Sequence, residues 1–365
     1  MPKLSKIFII LLLLGTNLSL FALSELELDA GYNTNVTEDA YAQGSAYFIP
    51  RITFKNTVFL TPDQILFSDL SAQIKTYFSI KEENMVIPNG SLKWRMKGRD
   101  QVLDISLKGY SEYLYNDKEY TFYQLSVNPQ YRYDFETLSL YLGAETGVIQ
   151  YPNYAFDRYY LKGYAATAFD VTWKFSLDFK IGTEKEWFSD RYILDNSYNN
   201  TQEKMERTKL FAKGGFNWLL SPNLDITGWG LIEKEDSNGN YYYYGPEEDV
   251  LIVDGDEALF PDYYTKTSWE AGMEINYHYD EGSFALAVSF AADNYATRYP
   301  LDNSGTPLLN DSMRVERLGV QTVWKIFLSE ENSLSLHYQF QKKFSNDYYE
   351  EALIHNGGIS LNILF

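Results

Sequence analysis

The sequence has 365 residues, a formal net charge of −19 and 17% aromatic residues. This charge has the wrong sign for a nucleic-acid partner, whose phosphates require a basic surface. The chain contains no cysteine, which excludes disulfides, cysteine-ligated zinc, thiol catalysis and lipidation of an amino-terminal cysteine.

The first residues have the pattern of an export signal. Lys3 and Lys6 precede an apolar run from Ile7 to Leu14, which is too short to span a bilayer and typical of a signal-peptide core. Small residues suited to cleavage follow at Ala22 and Ser24. We predict a signal peptide over 1–24, cleaved near Ser24 or Ala22, and a single exported domain over 25–365.

Almost every later segment alternates between apolar and polar residues. The alternation starts with Leu26, Leu28, Ala30 and Tyr32, and clear later examples are 66–75, 173–181, 269–277 and 334–341. A period of two over about ten residues indicates β-strands rather than helices. These strands are long for a soluble sheet, in which about five or six residues are usual.

The segments between the predicted strands fall into two lengths. Short turns are predicted at 60–64, 97–101, 134–137, 169–171, 220–223, 280–283 and 328–332, and the notable long loops at 187–206, 236–266 and 298–312. Short turns at one end and long loops at the other are typical of an outer-membrane barrel, with the long loops outside the cell.

Counting strands around these turns predicts an all-β fold: one transmembrane, antiparallel, up-and-down β-barrel of about 16 strands. Counts of 14 or 18 stay compatible with the approximate boundaries. A closed ring also satisfies every backbone amide in hydrocarbon, where an open sheet edge cannot persist. A soluble β-sandwich is the main alternative, although its strands would be shorter and its loop lengths need not segregate.

The chain ends in an alternating segment, with Ile359, Leu361, Ile363 and the terminal Phe365 on one face. This pattern resembles the last strand of porin-like β-barrel proteins of the Gram-negative bacterial outer membrane. The resemblance implies an integral protein of the bacterial outer membrane. It also implies that these four residues are the signal for the barrel assembly machinery, and that the last strand pairs with the first.

Charged residues of both signs fall opposite the apolar face of their strands, where a barrel of this width holds water. We predict a water-filled pore whose lining charges tune ion preference, with basic residues slightly in excess. The alternative is that these residues form structural ion pairs across the wall. The candidates are Lys75, Lys93, Arg95, Asp104, Lys108, Glu112, Arg132, Glu145, Lys174, Asp178, Lys180, Lys213, Glu270, Glu274, Arg317 and Lys325.

The three histidines argue against catalysis. His278 lies beside a short turn, His337 is predicted to face inward, and His355 outward near the loop rim. A catalytic group needs its members within hydrogen-bond reach. We therefore predict no enzymatic activity and no cofactor.

The segment 235–264 is strongly acidic, and three interpretations of it stay open. It folds into the barrel as a constriction, it binds calcium through Asp254, Asp256 and Glu257, or it is a solvated surface lobe. The calcium candidates lack the full spacing of a twelve-residue calcium loop, and no other metal site is predicted. Tyrosines 241–244 could also stack on sugars.

These observations predict an outer-membrane channel for passive diffusion of small hydrophilic solutes. The alternative is a surface barrel that acts as an adhesin or receptor through its acidic, tyrosine-rich loops. The expected partners are outer-membrane lipid, the barrel assembly machinery and the solutes, with no nucleic acid. The sequence decides neither homo-oligomerisation nor the solute.

Overall fold

The computed structural model describes residues 23–36, 42–116, 118, 121–153, 156–194, 199–242, 259–260, 264–305, 307–308 and 310–365. The predicted signal peptide therefore lies outside the described residues, apart from Leu23 and Ser24, which begin the first strand. Within the described residues, no helix is both long and apolar enough to cross a membrane.

Sixteen strands form one closed antiparallel barrel, which confirms the predicted fold class and strand number. Two further strands, β12 and β13, pair with each other within the connection between β11 and β14. Two short 3-10 turns cover Lys81–Glu83 and Tyr348–Glu350. The strands are β1 Leu23–Asn33, β2 Ser45–Thr61, β3 Gln64–Tyr77, β4 Met85–Lys97, β5 Gln101–Leu114, β6 Phe122–Asp134, β7 Leu138–Gln150, β8 Arg158–Thr172, β9 Phe175–Leu194, β10 Asn200–Ser221, β11 Leu224–Ser237, β12 Tyr241–Tyr242, β13 Leu259–Phe260, β14 Lys266–Tyr279, β15 Gly282–Tyr295, β16 Arg314–Phe327, β17 Asn332–Ser345 and β18 Ala352–Leu364.

The barrel closes between its first and last strands. In β1 and β18, Leu26 pairs with Ile363 and Leu28 pairs with Leu361. The start of β1 and the end of β18 therefore lie on the side of the short turns, which we call the turn end. The opposite side is called the loop end.

The two faces of the barrel differ sharply in chemistry because side chains alternate along each strand. One face carries large apolar side chains that are left exposed, such as Ile181 and Ile232, each 63% exposed. The other face carries the charged and amide side chains. The apolar face suits hydrocarbon and the polar face suits water, so we assign the apolar face to the outside and the polar face to the interior.

Two predicted connections are wrong. Residues 169–171 belong to β8, and the turn follows at 173–174. The predicted loop 187–206 instead consists largely of the long strands β9 and β10, which continue to Leu194 and start at Asn200. The alternation fades there because both faces carry polar residues, which are satisfied by ion pairs such as that between Lys185 and Glu206.

Glycines let large rings lie flat against the interior wall. A Cβ at Gly143 would lie 2.2 Å from the ring of Tyr164, its partner on β8. A Cβ at Gly272 would likewise lie 2.2 Å from the ring of Trp229 on β11. Each ring therefore occupies the volume that a side chain on the next strand would fill.

Candidate functional site in the barrel interior

All but one of the predicted lining residues lie in strands, at positions of interior parity. The exception is Lys174, which lies in the turn between β8 and β9 rather than in a strand. Its Nζ atom lies 4.7 Å from the ring centroid of Trp173, a residue that is 81% exposed at the turn end. The prediction for Lys174 is corrected because β9 begins at Phe175, two residues later than the alternation indicated.

Several of the predicted residues have local partners. Arg95 makes a bidentate ion pair with Asp104 on the next strand, with both N–O distances 2.7 Å. Arg132 contacts Asp134, and Glu112 accepts a hydrogen bond from Tyr110. The remaining contacts hold Glu270 to Trp229 Nε1 at 3.2 Å, Glu274 to Asn276 at 2.9 Å, and Lys93 over the ring of Phe67 at 4.7 Å.

Near the loop end, a chain of alternating charges runs along the interior from β8 to β16. We call this the charged belt, and most of its members were not among the predicted site residues. Arg158 and Arg207 both contact Glu186, and Arg207 also contacts Glu235 at 3.2 Å. The belt consists of Arg158, Glu186, Arg207, Glu235, Lys266, Asp293 and Arg317.

The carboxylates of the charged belt are deeply buried. Glu186, Glu235 and Asp293 are 8%, 6% and 3% exposed. A buried carboxylate is tolerated only when cations and hydrogen bonds compensate it, and here each has at least one cation within contact. We therefore interpret the charged belt as a set of structural ion pairs. This is the alternative that the sequence left open for the lining candidates, of which Arg317 is one.

Two loops are tied together at the loop end. The carboxylate of Asp347 accepts hydrogen bonds from the amides of Leu301 and Tyr349, at 3.1 and 3.0 Å. Tyr348 N donates to Leu301 O at 3.0 Å, and Arg298 contacts Glu350 at 3.1 Å. We call this joint between segments 296–313 and 346–351 the loop clasp.

Beside the loop clasp, the interior wall is covered rather than open to solvent. Val315, Ala352 and Ile354 have interior parity, yet each is less than 8% exposed. The preceding loop contributes Met313, which is 1% exposed. We infer that described residues of the loop between β15 and β16, such as Pro300 and Met313, cover this part of the interior. The sequence had assigned a constricting role only to 236–266.

Burial raises the pKa of Asp347, while its two backbone hydrogen bonds act in the opposite direction. Asp347 lies in the loop between β17 and β18, outside the strands. Its carboxyl group is therefore the titratable element of the loop clasp, with Arg298 and Glu350 as its charged neighbours.

Deeper in the barrel, four ammonium groups gather on one wall. Lys180 on β9 is the register partner of Lys213 on β10 and interacts electrostatically with Lys108, Lys162 and Lys213. We call these four residues the lysine cluster. Like charges repel one another, so such a grouping persists where water or bound anions offset the repulsion.

The lysine cluster is largely without carboxylate partners. Lys162 contacts Glu184 at 3.1 Å. In the part of the chain that the structure describes, no carboxylate lies within salt-bridge distance of Lys108, Lys180 or Lys213. The nearby Glu145 is held by Tyr160, whose hydroxyl donates to it at 2.9 Å.

Solvent reaches this level of the interior. Lys108 and Lys213 are exposed although they face inward. Half-way round the ring, strands β16 to β18 present amide side chains instead, and Gln321 and Gln339 are exposed as well. The interior at this height is therefore a wet space between a lysine wall and an amide wall.

The register adds charged residues of both signs to the interior face, beyond those that the sequence singled out. Acidic residues on the interior face that the sequence reading missed include Glu25 and Glu27, which pair with Lys55 and Arg51 at 3.2 Å. Others lie at Glu184, Glu186, Glu233 and Glu235. Acidic and basic side chains both occur around the whole interior wall. What differs from one part of the wall to another is whether the basic side chains have carboxylate partners.

The three histidines do not meet: His337 and His355 lie on neighbouring strands but on opposite faces, and His278 lies on β14. His278 contacts Asp225 at 3.0 Å near the turn end, and His355 contacts Tyr338 at 2.6 Å on the outer face. His337 Nε2 lies 3.0 Å from the hydroxyl of Tyr47, which reaches across the closing seam. Among the described residues no group of three His, Asp or Glu side chains could hold a metal ion.

The predictions about the long acidic loop fall outside the described residues. Asp254, Asp256 and Glu257, the calcium candidates, lie in the undescribed range 243–258. The tyrosine run 241–244 is described only in its first two residues, which form β12. The three interpretations of this loop stay predictions.

Comparison with known proteins bears on the fold. The outer membrane protein OprD from Pseudomonas aeruginosa is 10% identical over 94% of this chain and 93% of its own, with a TM-score of 0.51. A loop L8 deletion mutant of OmpT, an outer membrane protein of Vibrio cholerae, is also 10% identical, over 94% and 99%, with a TM-score of 0.51. The fold is that of outer-membrane β-barrel proteins. No protein-family model matches the sequence, and no curated protein matches it either.

Proposed function

We propose that this protein is an integral channel of the bacterial outer membrane through which small hydrophilic solutes diffuse passively, with a preference for anions. The observation that carries the proposal is the exposure of Lys108 and Lys213 on the interior face, beside Lys180 and without carboxylate partners. Exposed, unpaired ammonium groups require water around them and raise the local concentration of anions.

The proposal includes no catalytic step and no cofactor. The apolar outer face supports the membrane location, and the pairing of β1 with β18 is compatible with Ile359, Leu361, Ile363 and Phe365 serving as the assembly signal. The loop clasp, in which Leu301 is tied to Asp347 at the loop end, supports a restriction to small solutes.

The test is single-channel conductance of the refolded protein in a planar bilayer, with the reversal potential measured under a potassium chloride gradient. We expect discrete steps and a reversal potential of the sign that chloride preference gives. Lys108→Gln combined with Lys180→Gln and Lys213→Gln should move the reversal potential toward cation preference. A folded protein that gives no steps would refute the channel, and steps with cation preference would refute the role of the lysine cluster.

A further inference from the structure

Basic residues interrupt the apolar outer face of the barrel toward the loop end. Besides Lys204 and Arg314, which pairs with Glu316, they include three lysines in register with exposed leucines. We call Lys185, Lys234 and Lys342 the outer lysines. Lys342 on β17 is the register partner of Leu318 on one side and Leu353 on the other, and Leu353 is 47% exposed. Lys234 on β11 is in register with Leu210, which is 52% exposed. Each lysine thus lies at the upper edge of the apolar surface.

The outer lysines all bend the same way. Lys185 Nζ lies 5.3 Å from the ring centroid of Trp187, and Lys342 Nζ lies 4.5 Å from that of Phe344. Lys234 Nζ contacts Asp236 at 3.2 Å. Each of these neighbours is two residues closer to the loop end on the same strand. Every ammonium group is therefore directed away from the apolar surface and toward the loop end.

This geometry is that of snorkelling side chains, whose stems lie along apolar surface while the charge reaches a polar layer. At the turn end the outer face of the described strands carries no lysine or arginine. A polar layer that holds only water would not require this difference between the two rims. An anionic layer at the loop end accounts for it.

Two of the three lysines also have acidic neighbours. Lys185 contacts Glu206 at 2.8 Å, and Lys234 contacts Asp236. Both pairs are half-exposed, and ion pairs of this kind contribute about 0–1 kcal/mol. Among the described residues, no carboxylate lies within salt-bridge distance of Lys342, which is exposed. Lys342 is therefore the outer lysine whose charge most needs an external partner.

We propose that the outer lysines bind the phosphate groups of lipid headgroups in the outer leaflet of the membrane. The proposal rests on the membrane location proposed above and not on conduction. Each lysine near an anionic lipid surface contributes on the order of 1 kcal/mol, which corresponds to about a five-fold change in affinity.

The experiment compares two lipids that differ only in phosphate. Dioleoyl phosphatidic acid and dioleoylglycerol are added to the folded protein in neutral-detergent micelles, and the bound lipid is measured by native mass spectrometry. We expect the wild-type protein to retain phosphatidic acid over dioleoylglycerol. Because the three lysines lie on different strands, the combined Lys185→Gln, Lys234→Gln and Lys342→Gln variant should lose about five-fold in this preference at each of the three sites.

Lys55→Gln is the matched control because it removes the same charge from the interior face near the turn end, where Lys55 pairs with Glu25, and it should bind as the wild type does. If the combined variant does not fold, Lys342→Gln alone should lose about five-fold. Equal retention of the two lipids, an unchanged preference in the variant, or displacement of phosphatidic acid by millimolar inorganic phosphate would each overturn the proposal. A protein silent in the bilayer yet selective for the phosphorylated lipid would refute conduction alone.

Discussion

The charged belt and the lysine cluster line the same cavity, but they treat their charges in opposite ways. In the belt, Arg207 lies between two buried carboxylates, so each charge is compensated by its neighbours. In the cluster, Lys180 and Lys213 lie side by side and face solvent-filled space. The difference teaches that charge alone does not identify a functional wall. What identifies it is charge that the fold leaves uncompensated.

The largest effect is expected from a substitution that removes an ion pair of the charged belt. Arg207→Ala leaves Glu186 and Glu235 buried with less compensation, and breaking a buried ion pair costs about 3–5 kcal/mol. We expect the variant to unfold at lower urea concentration, as measured by heat-modifiable migration on a gel. Arg207→Lys keeps the charge and should lose less. If Arg207→Ala were as stable as the wild type, the belt would not be structural.

A smaller effect is expected at the loop clasp. Asp347→Ala leaves the half-buried amides of Leu301 and Tyr349 without their acceptor, and a hydrogen bond to a charged group contributes about 1.5–3 kcal/mol. Faster hydrogen exchange at Leu301 and a larger conductance should follow. Asn303→Ala, an exposed change in the same loop, is the control. Faster exchange with unaltered conductance would separate the clasp from the pore.

The lysine cluster should respond in selectivity rather than stability. An ammonium group about 6 Å from a passing anion in water contributes about 0.7 kcal/mol, which is a factor of about three in relative permeability. Lys213→Gln should therefore lower the ratio of chloride to potassium permeability about three-fold, with no change in unfolding. Lys185→Gln removes the same charge from the outer face and should leave the ratio as it is. An equal loss from both variants would show that the overall charge, not the cluster, sets selectivity.

The smallest effect concerns pH. Because burial raises the pKa of Asp347 above its usual value, the folded clasp holds a proton that the opened clasp releases. The clasp is then most stable at low pH and weakens as pH rises through the elevated pKa. Exchange at Leu301 should be slower below the ordinary aspartate pKa of 3.8 than at pH 7 after correction for intrinsic rates, and Asp347→Asn should remove this dependence.

The fold was largely predictable because one period of two dominates the sequence. Alternation such as that of 269–277 reports directly which residues meet lipid and which meet the interior. The same rule failed beyond the apolar surface, in the predicted loop 187–206, because strands with two wet faces no longer alternate. It also placed Lys174 in a strand, because a turn residue next to a strand keeps the same parity.

The pairing within the interior could not be predicted. Whether Lys180 meets Lys213 or a carboxylate depends on the register between β9 and β10, and a shift of β10 by one residue would turn Lys213 away from the interior. The acidic partners Glu186 and Glu235 were missed for another reason, because they lie at the edges of the predicted loops 187–206 and 235–264, whereas the strands β9 and β11 continue past them. Register is fixed by the whole ring, and no local pattern reports it.

The calibre of the passage depends on residues that have no side chain. Because Gly143 and Gly272 have no side chain, the rings of Tyr164 and Trp229 lie against the wall instead of projecting into the interior of the barrel. A single methyl group at either position would push an aromatic ring inward, with no change in charge. A closely related barrel could thus pass smaller solutes after one substitution, so pore size can diverge while the electrostatics of the wall stay constant.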